Sequence, residues 1–295
     1  MESGAELELR QMIFDHLTQR VAEQGTLTRA ELTALPVNGG TRRLIDLNRG
    51  IWNPRDLQAT LSIVSKPDSQ YSDGEVGESL FAYSYREGST NGDNTKLRRA
   101  CELEFPIILL RWIRPGVYVP VFPVYVVADD TEGRRFILAL DESLRFVTDP
   151  LKLKPIERKY AQRAIRQRLH QPEFRGRILL AYDRRCAVCD LRQPQLLDAA
   201  HILADNHEEG VPEVDNGLCL CKIHHAAYDM QLLGISPNYE VVIGKKMMQD
   251  PNDGPMLRHG FRDMNGRQLS LPHRRSDRPS RDRLAERFAE FKAAS

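Results

Sequence analysis

Residues 196–202 read LLDAAHI, and residues 216–229 read NGLCLCKIHHAAYD. A His closes an apolar, strand-like run. Further on, two Cys and two adjacent His crowd together, with an Asp four residues after the second His. Upstream, Cys186 and Cys189 form a CxxC knuckle, and Cys221 and His224 supply a CxxH partner. Four ligands in two such pairs, brought together from separate turns, suit a tetrahedral structural Zn²⁺. Cys219 lies two residues from Cys221 and would share its strand face, so it competes as a ligand; we take it as a packing residue.

Zinc accounts for His224 and leaves His201, His225 and Asp229. His225 and Asp229 are four apart on the expected helix and so project from one face. Such a pair is often only a surface hydrogen bond. An imidazole and a carboxylate can also hold one divalent cation with positions left open for phosphate and water, as metal-assisted phosphodiester hydrolysis requires. A separate His, here His201, is then the candidate to deprotonate the attacking water.

The rest of the chain bounds this reading. It has 295 residues, enough for two domains, 28% charged residues, and a net charge of +1. No apolar run approaches the roughly 20 residues that span a bilayer, and the N-terminus lacks a secretory pattern. The expectation is a cytoplasmic protein without membrane contact. Five Cys, four of them between 186 and 221, argue for metal and against a disulfide framework. From Lys152 to Arg185 there are eleven Lys or Arg against three acids, a basic stretch next to the Cys/His unit that suits phosphate.

In organisation, residues 5–24 carry Leu9, Ile13, Leu17 and Val21 at four-residue intervals, which predicts an amphipathic helix. Thr28 with Glu31 three residues on predicts a capped second helix ending near Pro36. From 39 to 150 the texture is β: TLSIVS, SLFAYSYR, FPIILLRW, GVYVPVFPVYVVA and RRFILALD, separated by turn residues, predict a compact sheet or barrel. Residues 70–100 read as two strand fragments with Gly-, Asp- and Asn-rich turns. A helical pattern returns over 155–183, interrupted at HQPEFRG, and a strand-like YEVVIG and a closing helix RLAERFAEF follow the Cys/His unit. The expected divisions are a helical segment 1–38, a β domain 39–150, a basic helical linker 151–179, a metal-bearing domain 180–245 and an Arg/Pro-rich extension 246–295.

The order His201, Asn216, His225, with DAAHI, DNGLCLC, HHxxxD and the upstream CxxC, resembles the HNH (ββα-metal) nucleases whose hairpin and helix are stapled by zinc. That resemblance implies His201 as general base, His225 and Asp229 as ligands of a catalytic Mg²⁺ or Mn²⁺, and Asn216 as the residue that holds the hairpin. Many HNH enzymes place a metal-binding Asp or His just before the base, where this chain has Ala200. Asp198 shares its strand face with Ala200 and is the candidate substitute ligand.

In the β domain, QYSDG at 70–74, FAYS at 81–84 and GDNTKLRRA at 92–100 resemble SRA (YDG) domains, which recognise 5-methylcytosine. The fold that follows is α+β: an SRA-like (PUA-like) β-barrel, then a zinc-stapled ββα-metal domain. By the same resemblance Tyr71 and Tyr83 stack on an extruded base, Asp73 accepts from its amino group, and Ser84 makes a polar contact. The pairing resembles the modification-dependent (type IV-like) restriction endonucleases. It implies double-stranded DNA carrying modified cytosine as partner, with Arg158, Lys159, Arg163 and Arg166 on phosphates. One HNH centre cuts one strand, so a homodimer is expected. Two rivals remain: an HNH endonuclease or nickase whose β domain binds DNA without reading modification, and a non-catalytic zinc-stabilised DNA binder.

Overall fold

The computed structural model describes residues 2–46, 48–66, 74–76, 80–85, 92–204, 207, 210–252 and 254–294. The chain separates into two compact units, Met1–Glu173 and Phe174–Ser295.

In the first unit, helix α1 (Ser3–Gln24) forms where the four-residue repeat predicts it. Its buried stripe differs from the apolar one: it runs through Glu6, Arg10, Ile13, Phe14 and Leu17, while Leu9 and Val21 are only half-buried. A buried charge is tolerated only when its donors are satisfied. Arg10 donates to Glu6 Oε1 at 2.6 Å and to the carbonyls of Ala59, Thr60 and Pro106, and Glu6 accepts from the Gln58 amide. The pair thus ties α1 to the segment before the sheet. Strand β1 (Leu27–Thr28) leads into α2 (Arg29–Thr33), whose capping box is the expected one: Thr28 Oγ1 accepts from the Glu31 amide, and Glu31 accepts from the Thr28 amide. The helix stops three residues before Pro36, because β2 (Leu35–Val37) pairs with β3 (Gly40–Arg42).

The remaining strands are β4 (Ile51–Trp52), β5 (Ser62–Ser65), β6 (Gly74–Val76), β7 (Leu80–Ser84), β8 (Ile107–Arg114), β9 (Val117–Asp130) and β10 (Arg135–Ala139). Each of the five β-rich segments predicted from sequence contains one of them. They form an eight-stranded sheet in the order β4-β5-β8-β9-β10-β7-β6, with β1 also paired to β9. Among the described residues this is a curled half-barrel, in keeping with the compact sheet or barrel expected from the strand-rich texture. The long β9 serves both halves of the sheet, and register shifts in its pairings with β8 and β10 bend it. A departure is helix α3 (Asp93–Glu102), in the stretch read as strand fragments and turns. Gly92, Asp93 and Asn94 were legible as turn residues, but here they start a helix that buries Leu97 and Ala100.

Helix α4 (Pro155–Ile165) follows, then a π-helical turn (Arg166–His170) and α5 (Gln171–Ala181). The helix is not interrupted at HQPEFRG as the sequence suggested: apart from His170 that stretch lies inside α5, and the irregularity falls just before it, in the wide turn where the Gln171 amide donates to the Arg166 carbonyl. Pro172 falls in the next helical turn, where a missing N–H is best tolerated.

The second unit contains β11 (Leu197–His201), β12 (Gly217–Cys221), α6 (Lys222–Asp229), β13 (Leu233–Ile235), β14 (Val241–Ile243), α7 (Lys245–Met248), α8 (Pro255–Gly260) and α9 (Arg281–Ala294). β11 and β12 pair antiparallel with Leu197 opposite Cys221 and His201 opposite Gly217. Their inner residues join Phe174, Ile178 and Tyr182 of the α5 segment and Ala227 and Tyr228 of α6 in one core. α9 closes that core: Phe291 packs on Gly234, where an added Cβ would lie 2.4 Å from the ring. No described helix is long and apolar enough to cross a membrane.

Candidate metal and catalytic centre

The β11–β12 hairpin and α6 place two dissimilar donor sets on either side of one helix. On the buried side, one donor atom from each of Cys186, Cys189, Cys221 and His224 lies within 4.8 Å of all the others. His224 is 3% exposed, and its Nδ1 sits 3.2 Å from Cys221 Sγ and 3.5 Å from Cys186 Sγ. Its Nε2 is 2.7 Å from the carbonyl of Gly260, at the end of α8. That contact assigns the proton to Nε2 and leaves Nδ1 free to ligate, the outer-shell arrangement usual for a metal-bound His. Three thiols and an imidazole in this geometry fit zinc.

The protons of the cluster are unevenly shared. Burial opposes a charge on His224, but its contacts with Cys186, Cys221 and Gly260 outweigh burial and raise the ring to about 10. Hydrogen bonds from Cys186 and Cys189 push the Cys221 thiol down, while those with Cys186 and Cys221 push Cys189 up. A divalent cation would replace those protons. Cys219 stands apart: it is fully buried in the β12 core, burial pushes its thiol up, and it lies outside the four-ligand set.

On the other side of α6, His225 is flanked by two carboxylates. Asp198 Oδ2 is 3.4 Å from its Nδ1, and Asp229 Oδ2 is 3.4 Å from its Nε2. Asp198 comes from β11, so the hairpin and α6 meet at this ring. The three side chains are 35%, 26% and 60% exposed for Asp198, His225 and Asp229, which leaves room for a solvated ligand. Arg175 fixes the start of β11 by donating to the carbonyls of Pro194 and Leu197 at 2.8 and 3.0 Å. Burial lowers its pKa, and the nearby Asp198 charge works against that.

His201, at the other end of β11, stacks on Phe174 with ring centroids 4.1 Å apart and planes 17° from parallel. Gly217, opposite it in the hairpin, makes that stack possible. A Cβ there would lie 2.3 Å from Ile178 Cδ1 and 2.7 Å from Phe174 Cζ. Asn216 is fully buried and staples the chain just after His201. Its Oδ1 accepts from the Leu203 amide at 2.9 Å, and its Nδ2 donates to the carbonyls of Leu203 and Val211, each at 3.0 Å.

Three contributors had no local sequence signal. Phe174 and the Gly260 carbonyl are brought in by tertiary packing. The third is Arg283 of α9, whose guanidinium lies 2.6 Å from Asp215 Oδ1 and 3.7 Å from Glu213 Oε2, beside Asn216. The Ser280 amide also donates to the Asp215 carbonyl. The C-terminal extension thus clamps the loop that follows His201.

In the first unit, Tyr83 is 6% exposed, sits in the sheet core and donates to the Gly50 carbonyl at 3.2 Å. Ser84 ends β7, paired with Arg135. Tyr71 and Asp73 lie outside the described residues. Arg158, Lys159, Arg163 and Arg166 are all exposed along α4 and the start of the π turn.

The model of the family described as HNH endonuclease matches residues 186–236. No curated protein matches the sequence. Among solved structures, the chain is similar to the modification-dependent TagI restriction endonuclease at 17% identity and a TM-score of 0.31, over 89% of this chain and 90% of that one. A second likeness is to the type IV phosphorothioation-dependent restriction endonuclease ScoMcrA, at 13% identity and a TM-score of 0.23, over 79% of this chain and 53% of that one. At those TM-scores neither likeness carries an argument about fold or substrate. The family match does: residues 186–236 are an HNH endonuclease domain, and its chemistry is DNA hydrolysis.

Proposed function

We propose that the protein is a divalent-metal-dependent endonuclease that hydrolyses DNA containing modified cytosine. The observation that carries the nuclease half is His225 held between Asp198 and Asp229, on a hairpin and helix closed from behind by the Cys/His cluster.

Cys186, Cys189, Cys221 and His224 hold a structural zinc in this reading. Asp198, His225 and Asp229 surround the site of the catalytic Mg²⁺ or Mn²⁺, for which carboxylate and imidazole donors are suited. When bound, that ion supplies stabilisation of charge on the phosphate and the leaving oxygen. A His ligates through one nitrogen and uses the other to bind an orienting partner. The two carboxylates face opposite nitrogens of His225, so one shares the ion and the other orients the ring. We assign the ion to Asp198, the less exposed of the two. His201 acts as general base and takes a proton from the attacking water. Its stack on Phe174 sets the plane of the ring, and Asn216 holds the following backbone. Arg158, Lys159, Arg163 and Arg166 contact phosphates.

The modified-cytosine half rests on the sequence motifs at Tyr71–Gly74 and Phe81–Ser84. Stacking by Tyr83 requires its packed ring to be uncovered; Ser84 is at the strand end beside it. A homodimer, with one centre per strand, completes the reading for double-strand breaks.

The test is cleavage of matched plasmids, unmodified and carrying 5-methylcytosine, with Mg²⁺ or Mn²⁺. We expect cutting of the modified plasmid alone, abolished by His201→Ala. Equal cutting of both plasmids would remove the reader and keep the nuclease. Absence of cutting under every divalent ion would favour the non-catalytic DNA binder.

A further inference from the structure

Helix α4 presents a surface that solvation alone does not explain. Its inner face, Ala161, Ala164 and Ile165, packs against Leu80, Phe81 and Leu138 of the sheet, so the helix is anchored through small residues. Its outer face carries Ile156 at 65% exposure and Tyr160 at 59%. These two are one turn apart and stand side by side on the helix surface. On the same projection Lys159, Arg163 and Arg166 form the adjacent ridge. From Lys152 to Arg168 the chain has seven Lys or Arg and a single acid, Glu157, whose carboxylate already accepts from the Lys154 amide at 2.7 Å.

Two large apolar side chains exposed side by side form a contiguous apolar patch, a feature that at sufficient size marks interaction sites. The charge decides the partner. A second copy docking here in isologous fashion would bring two strongly basic faces together. A polyanion meets the ridge with the opposite sign. We infer that α4 is a DNA-docking helix, on which Ile156 and Tyr160 form an apolar ridge that passes the phosphates and packs against the bases, while Lys159, Arg163 and Arg166 hold the sugar–phosphate backbone. The inference rests on the assignment of DNA as substrate under Proposed function. It adds a contact of a different physical kind: apolar insertion of this sort unstacks and bends duplex DNA. It is independent of modification.

The two ridges separate by salt dependence. Each phosphate contact releases counterions and steepens the fall of affinity with salt, whereas an apolar contact releases none. Binding of the full chain to a fluorescein-labelled duplex is measured by anisotropy across a salt series, in a His201→Ala background so that the duplex stays intact. Ile156→Ala with Tyr160→Ala is expected to weaken binding about tenfold, the scale of one lost stacking or wedge contact, with the salt slope unchanged. Lys159→Ala with Arg163→Ala is expected to lower the slope by about two. Both ridge residues are exposed, so melting temperature and zinc content should stay at the parent's values. The single variants Ile156→Ala and Tyr160→Ala report the same contact should the pair fold poorly. Unchanged affinity in the ridge variants would overturn the inference. So would a weakening matched by loss of a dimer in light scattering, which would give the ridge to a second copy. A failure of catalysis in the plasmid test leaves this binding result untouched, so the two readings fail separately.

Discussion

His224 and His225 are neighbours in sequence and opposite in surroundings. His224 is 3% exposed, set among three thiols, with its outer nitrogen at a backbone carbonyl. The side chain of His225 is 26% exposed and set between two carboxylates. One residue of rotation on α6 moves an imidazole from a closed, sulfur-rich set, which suits a structural ion, to an open, oxygen-rich one, which leaves room for a substrate. In the proposed reading, burial and donor softness, more than residue type, divide folding from chemistry.

The largest expected effect lies on the closed side. Stripping zinc with a chelator removes on the order of 10–16 kcal/mol of binding free energy and should unfold the second unit, and Cys189→Ser, which removes one of four ligands, should weaken it in the same direction. Limited proteolysis within 174–295 checks this; persistence of a protected fragment would break the comparison. On the open side, Asp198→Ala should reduce cleavage by about a thousandfold, the loss of a few kcal/mol of charge stabilisation. Asp229→Ala should cost only about 10–100-fold, as expected for an orienting partner. The reverse order in cleavage rates would exchange the two assignments.

Smaller effects test the supports. Gly217→Ala should cost about 1–3 kcal/mol by overpacking against Phe174 and Ile178, and it should slow cleavage by disturbing the His201 stack. Melting and single-turnover rates measure the two consequences. Arg283→Ala should cost about 1 kcal/mol, since its partner Asp215 is partly solvated, with a modest loss of rate and no change in zinc content. Loss of zinc in that variant would mean that α9 supports the closed side instead.

The same contrast governs what the sequence disclosed. Donor sets whose spacing is local were readable: the CxxC and CxxH pairs, the i, i+4 relation of His225 and Asp229, and the Thr28–Glu31 capping box. Asp198 was reachable through strand alternation once Ala200 was seen in the usual ligand position. What stayed hidden depends on contacts far apart in the chain. Nothing near Gly217 announces that Phe174 needs its missing side chain, and nothing near Gly260 announces a partner for His224. Arg283 reads as one more Arg in a polar tail until α9 docks on the hairpin loop. In the first unit, strand content was legible, but strand order was not, because it depends on which edges pair. The turn-like start of α3 concealed a helix whose Leu97 and Ala100 are buried by the sheet. The packing of Tyr83 was likewise not legible: its place in FAYS gives a stacking role by resemblance, and only the fold shows its ring set among the sheet's core residues.

The division of labour across α6 is tested most directly by His225→Ala, assayed together for tightly bound zinc and for DNA cleavage. The account predicts one zinc per chain and a melting temperature close to the parent's, with cleavage abolished. Loss of the zinc, or retention of cleavage, would contradict it.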